Sequence, residues 1–126
     1  ILRSEACLFA NKNALSELPA VLDIARKLLE FIEAYLRARD SFQITANVRG
    51  QSPEAIARQM FEQTSIGGLQ GPTISPVIAR DELEGDRSWY AINIIVRKSE
   101  VFQAVNELRR IGGSGVIVTP CAYIFE

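Results

Sequence analysis

Histidine is missing altogether from this chain of 126 residues. Without an imidazole, Ser-His-Asp and Cys-His nucleophilic catalysis and His-based metal ligation are excluded within these residues. Cysteine is scarce. Cys7 and Cys121 stand far apart, without the close spacing of a zinc or redox motif. They read as buried or half-buried thiols of a reducing compartment rather than a disulfide or a catalytic pair. Neither sign of charge is in excess, since 14 Lys and Arg stand against 15 Asp and Glu for a net charge of −1. That balance gives no footprint for nucleic acid or an anionic membrane surface. No apolar run approaches the ~20 residues of a membrane span, and no secretory signal pattern opens the chain. The first residue is Ile1 rather than Met, so a piece of a longer protein is the expectation.

What is present suits a globular domain. A 48% hydrophobic content can build a core and 23% charged residues can solvate its surface. The length fits one compact domain with an appendage.

The apolar run at residues 5–10 (Glu-Ala-Cys-Leu-Phe-Ala) reads as a buried strand, closed by Asn11-Lys12-Asn13. Then Leu18, Val21, Leu22, Ala25, Leu28, Leu29, Ile32, Tyr35 and Leu36 recur at steps of three and four. That spacing predicts an amphipathic helix of roughly 20 residues. Ser16 is its expected N-cap, and Pro19 is tolerated in the first turn. The apolar stripe needs a partner, either an ordinary core or a second domain or subunit.

After Asp40 the period falls to two: Phe42, Ile44, Ala46 and Val48 share one face of a strand. Arg49-Gly50-Gln51 reads as a loop. Ser52-Pro53-Glu54 combines an N-cap, an N1 proline and a first-turn acid, opening a helix to about Gln63 that buries Ile56 and Met60. A strand is expected at residues 73–79, an exposed hairpin loop at 81–87 and a strong strand at 88–97. Ser99 should cap a helix with Val101, Ala104, Val105, Leu108 and Ile111 on its buried stripe, ended by Gly112-Gly113. Residues 116–119 form the last strand, and Tyr123-Ile124-Phe125 extend or follow it.

From residue 41 the order is β-α-β-β-α-β. This predicts an α+β, ferredoxin-like fold: a four-stranded antiparallel sheet with two helices on one face, preceded by a strand and a long connector helix. Apolar residues on both strand faces would require a second cover, from the connector helix or another subunit, so oligomerisation is expected.

The densest motif is Gly67-Gly68-Leu69-Gln70-Gly71-Pro72-Thr73-Ile74-Ser75-Pro76, with three glycines and two prolines in ten residues. A turn this constrained, opening a strand, lets the backbone approach something closely. The motif alone leaves open a small ligand or a neighbouring helix, and the fold does not choose between them.

The stretch Gly68-Leu69-Gln70-Gly71-Pro72-Thr73-Ile74-Ser75-Pro76 resembles the Gly-Leu-x-x-Pro-Thr-[Ile/Val]-Ser-Pro signature of the C-terminal regulatory domain of long-form ATP phosphoribosyltransferase. The resemblance continues through Trp89-Tyr90-Ala91-Ile92, through Glu107-Leu108-Arg109-Arg110-Ile111-Gly112-Gly113 and through Gly115-Val116-Ile117-Val118. It is strongest toward plant and cyanobacterial members and covers essentially the whole chain. It implies that residues 1–17 are the tail of a catalytic region, 18–40 a connector helix and 41–126 a ferredoxin-like regulatory domain.

The complete enzymes of that family open histidine biosynthesis. They transfer the phosphoribosyl group of phosphoribosyl pyrophosphate to ATP with Mg²⁺. No phosphate-cradling loop after a strand, and no acidic pair for Mg²⁺-pyrophosphate, occurs here. No catalytic residue, metal ligand or cofactor is therefore expected in these residues, and the fragment alone should be inactive. The resemblance further implies L-histidine as a feedback effector bound between neighbouring domains. It implies a trimer through the regulatory domain within a hexamer, and a cytoplasmic location, or a plastid in a photosynthetic eukaryote.

A free amino acid needs acceptors for its ammonium, donors for its carboxylate and a pocket for its side chain. On the family motif, Leu69, Gly71, Thr73, Gly115 and its neighbour Ser114 are assigned to the effector site. Asn47 matches the polar, often acidic, residue that receives the ligand's amino group. Its amide carries no charge, so a weaker contact is expected. The plain alternatives are a turn capping the first domain helix and a helix C-cap before a strand. Arg49 departs from the family pattern and reads most simply as a solvated loop side chain. Trp89 and Tyr90 should face opposite ways. The aromatic motifs of RNA-binding modules and the glycine-rich loop of acylphosphatases are absent. An association module without ligand affinity remains the alternative function.

Overall fold

The structure, a computed structural model, describes residues 2–78 and 88–126. The expected hairpin loop at 81–87 and the last residue of the expected strand at 73–79 lie outside the described residues.

β1 (Ser41–Arg49) and β3 (Trp89–Arg97) form the centre of the sheet, nine residues each and fully paired from Ser41↔Arg97 to Arg49↔Trp89. Their even-numbered positions, Ile44, Ala46 and Val48 with Tyr90, Ile92, Ile94 and Val96, all turn to the same buried side. Period-two alternation makes this unavoidable once one register is set. β2 (Thr73–Pro76) flanks β3 and β4 (Ser114–Pro120) flanks β1, both antiparallel, so the spatial order is β2-β3-β1-β4.

α3 (Pro53–Gln63) and α4 (Val101–Arg110) cover the buried face. Ile56 and Met60 from the one helix, and Ala104 and Leu108 from the other, complete a single core with the β1 and β3 side chains. Ser52 caps α3, its side chain accepting from Ala55 N–H at 3.1 Å, with Pro53 next to it, as the residue types dictate. The α+β ferredoxin-like expectation holds.

Several local expectations do not. Residues 5–10 form no strand and are exposed. A strand exists by its ladder, and no described strand lies beside this one. Asn11 caps a short helix, α1 (Lys12–Glu17), accepting from the N–H groups of Asn13 and Ala14. Ser16 therefore lies inside α1 and caps nothing; its hydroxyl donates back to Asn13 O. The long helix, α2 (Pro19–Ala38), begins at its N1 proline without a side-chain cap. Ser99 sits within a 3₁₀ turn (Lys98–Glu100) at whose start the Glu100 carboxylate accepts from Arg97 N–H at 3.2 Å, and α4 then opens without a side-chain cap of its own. Arg49 belongs to β1 rather than to a loop. Cys7 is exposed and only Cys121 is half-buried; both are free thiols.

Among the described residues the apolar stripe of α2 enters no core. Ala34 and Ala38 are buried, but Ile24, Leu28, Leu29, Phe31, Tyr35 and Leu36 are exposed. The C-terminal tail follows β4 rather than extending it. It packs on α2 through Tyr123 and Phe125, both edge-on to Phe31, and through Ile124 N–H donating to Ala34 O at 3.0 Å.

The second sheet face is also less apolar than expected. It carries Gln43, Thr45, Asn47, Thr73, Ser75, Asn93 and Thr119 beside Trp89, Ala91, Ile95 and Ile117. The Trp89/Tyr90 split holds: Tyr90 is 7% exposed in the core, while Trp89 lies half-buried on this open face.

Candidate effector site

The turn after α3 is built to bring backbone to the sheet edge. Thr64 closes the helix, its hydroxyl donating to Met60 O at 2.6 Å, and Ile66 plugs the core. Gly68 (φ 65°) and Gly71 (φ 88°) then reverse the chain in left-handed conformations that side chains resist. Leu69 N–H donates to Ile95 O at 3.1 Å, anchoring the turn to the end of β3. That amide is therefore spent and cannot serve a ligand carboxylate, whatever the bareness of the neighbouring glycines. Thr73 begins β2 opposite Asn93, with its side chain exposed.

On the other side of the sheet, β4 opens with a bulge. Thr45 pairs with Ile117 but Asn47 pairs with Ser114, so β4 carries an extra residue there. Gly115 accommodates the irregularity at φ 59°. Ser114 Oγ donates to Asn47 O at 3.4 Å, and a Cβ on Gly115 would lie 4.0 Å from Asn47 Nδ2. Asn47, Ser114 and Gly115 are thus one cluster.

The two groups do not meet within one chain. One row across the sheet reads Thr73–Asn93–Thr45–Ile117, and the next reads Ser75–Ala91–Asn47–Ser114. With strands about 4.8 Å apart, Asn47 lies roughly 10 Å from β2, and β4 roughly 14 Å from it. A free amino acid extends only about 7 Å, some two Cα–Cα steps. Leu69, Gly71 and Thr73 therefore group at the β2 edge, and Asn47, Ser114 and Gly115 beside the β4 edge.

Between them runs a polar ladder that the motif reading missed. Asn93 Oδ1 accepts from Thr45 Oγ1 at 2.6 Å and from Gln43 Nε2 at 3.4 Å. Asn93, set among isoleucines in β3, was its sequence signal. None of the four described strands contains an acidic residue, so their own side chains offer an ammonium only neutral acceptors. Arg49, two residues from Asn47 on the same face, lays its guanidinium 4.8 Å from the Trp89 ring centre. That is a cation–π contact rather than a free solvated side chain.

A cleft of about 380 Å³ lies on the helix side of the turn, lined in part by Gly67, Gly68, Leu69, Arg97, Glu100 and Gln103. It takes in Leu69 of the β2-edge group but not Thr73. Among the described residues no group of three His, Cys, Asp or Glu could hold a metal ion, and no described helix is long and apolar enough to cross a membrane.

Sheet order, the two covering helices and the glycine turn at the β2 edge define a ferredoxin-like α+β domain. Residues 38–123 match the family described as HisG, C-terminal domain. The chain belongs to that family. It is 42% identical, over all of its 126 residues, to the ATP phosphoribosyltransferase 2, chloroplastic, of Arabidopsis thaliana, and covers 30% of that protein. Identity is again 42% to the ATP phosphoribosyltransferase 1, chloroplastic, of the same plant, of which the chain covers 31%. An ATP phosphoribosyltransferase of Methanosarcina barkeri is 30% identical over 120 residues, 95% of this chain and 37% of that protein. The chain thus spans about a third of the length of these relatives.

Proposed function

We propose that this chain is the regulatory part of an ATP phosphoribosyltransferase and that it binds L-histidine for feedback inhibition of histidine biosynthesis. The observation carrying this reading is the division of the family-motif residues between opposite sheet edges. A single amino acid can touch both groups only where the β2 edge of one copy meets the β4 edge of another. In this arrangement Thr73 and the Gly71 backbone come from one copy, and Asn47, Ser114 and Gly115 from its neighbour. A trimer would close three such sites, within a hexamer of the complete enzyme.

Binding energy enters as a preference for one arrangement of copies, a coupling of about 1–3 kcal/mol being typical. α2, with its exposed apolar stripe, would carry the rearrangement to the catalytic part, where Mg²⁺ and the phosphoribosyl chemistry belong. The chloroplastic names of the two plant relatives support a plastid location if the source is a photosynthetic eukaryote, and the cytoplasm otherwise.

The test uses two variants, Thr73→Val and Asn47→Ala, each expected to bind histidine poorly by titration calorimetry. Mixed as unfolded chains and refolded together, they should regain sites in which the intact Thr73 and the intact Asn47 come from different copies, roughly a quarter of the total if a ring forms at random. No recovery in the mixture, alongside a binding-competent parent chain, would remove the shared site. A second reading, an association module without ligand affinity, draws on the uncharged Asn47 and the spent Leu69 amide. It requires a trimer by light scattering that gives neither heat nor thermal stabilisation with millimolar histidine.

A further inference from the structure

The turn that carries the β2 half-site is tied at its base by one carboxylate from another helix. Ser65 N–H donates to Glu107 Oε2 at 2.9 Å, and Ser65 Oγ donates to Oε1 at 3.0 Å. Gln103, four residues earlier on the same face of α4, donates from Nε2 to both Ser65 Oγ at 2.8 Å and Glu107 Oε1 at 3.0 Å. The cluster closes on itself: one carboxylate, one hydroxyl, one amide and one backbone N–H.

Its position gives it leverage. Ser65 stands immediately after the α3 cap and two residues before Gly67-Gly68. Beyond them the next tether is Leu69 N–H on Ile95 O. Glycine-rich backbone loses more freedom on ordering than any other, so the shape of this turn depends on how firmly its two ends are held. Hydrogen bonds to an ionised carboxylate are shorter and stronger than neutral ones. The Gln103 hydrogen bond, with help from Ser65 and Arg110 and against partial burial, holds the Glu107 carboxyl below its ordinary range. Ser65, Gln103, Gly68 and Leu69 also line the cleft beneath the turn.

We propose that Glu107 is a positioning residue for the effector half-site: by gripping Ser65 together with Gln103, it preorganises the 67–73 turn that presents Gly71 and Thr73 at the β2 edge. The proposal rests on the histidine-binding reading for its consequence, but the grip is measurable without ligand. A turn already ordered costs less to close on a ligand, and an untied one gives up part of the affinity in ordering.

The experiment is backbone hydrogen exchange on the 126-residue chain and its Glu107→Ala and Glu107→Gln variants, followed by histidine titration of each. In Glu107→Ala the Leu69 amide should exchange about tenfold faster, and affinity should fall by a similar factor, while the β3 amides keep their protection. Glu107→Gln retains an acceptor oxygen for Ser65 and should recover most of both losses. Unchanged Leu69 protection in Glu107→Ala overturns the proposal. So does an equal loss across β3, which would make Glu107 a general stabiliser. A parent chain that ignores histidine overturns the effector reading, while the exchange measurement still decides whether Glu107 holds the turn.

Discussion

Asn47 and Gly115 are neighbours across the β4 bulge, where a Cβ on the glycine would stand in ordinary contact, 4.0 Å, with the Asn47 amide nitrogen. The bulge and the missing side chain leave room beside that amide, which is half-buried. The glycine backbone there sits at φ 59°, in the left-handed region that side chains resist.

Gly115→Val is therefore expected to act twice. A β-branched residue in the left-handed region costs about 1–2 kcal/mol, which should lower the melting temperature by about 5–10 °C. The added methyls would also crowd Asn47, so histidine binding should be lost even at temperatures where the variant is fully folded. Calorimetric melting and titration measured in parallel check the two effects separately.

Asn47→Asp should tighten histidine binding. None of the described strands supplies a carboxylate, and a charge-assisted contact to the ligand's ammonium is roughly twice as strong as a neutral one. A gain of about three- to tenfold in affinity is expected, shrinking as salt is added. A loss of affinity instead would mean that Asn47 faces the ligand's carboxylate, a role that nearby Arg49 would favour.

Acid should loosen the turn. The native Glu107 carboxyl lies below its ordinary value of 4.5. Its stabilising contribution is therefore complete above that value and is lost as pH falls through the lower native one. Thermal melts between pH 6 and pH 3 should show a smaller acid loss for Glu107→Gln than for the parent chain, since the amide has no charge to lose. Equal slopes would mean that the carboxylate is solvated rather than engaged.

Much of the architecture could be read from residue order. Ser52-Pro53-Glu54 marked the start of α3, and alternation along Tyr90, Ile92, Ile94 and Val96 marked the inward face of β3. What escaped was governed by partners or by competing local bonds. Residues 5–10 have strand composition, yet composition cannot supply a ladder. Ser16 looked like a cap, but Asn11 reached two N–H groups first and began a separate short helix. The motif supplies the proposed site residues one by one. It does not supply their separation, because strand order across the sheet sets it: Thr73 and Gly115 belong to opposite flanks of the same sheet.

The two flanking strands have a further consequence, for growth rather than for recognition. Val77 N–H donates to Trp89 O, so Thr73 and Ser75, in step with it, turn their backbone groups toward β3, and Ile74 and Pro76 turn theirs outward. Within β2 the outward rim thus offers one N–H, that of Ile74. By the same alternation, with Cys121 N–H donating to Ser41 O, Pro120 points its donorless nitrogen outward on β4. Among the described residues the β2 flank is thus a poor template for an added strand, while β4 keeps the outward N–H of Val118 and loses only that of Pro120. Copies brought against the β2 flank would lean on side chains and turns, which fit in one orientation, and an assembly joined that way can close on itself and stop instead of lengthening into a fibre.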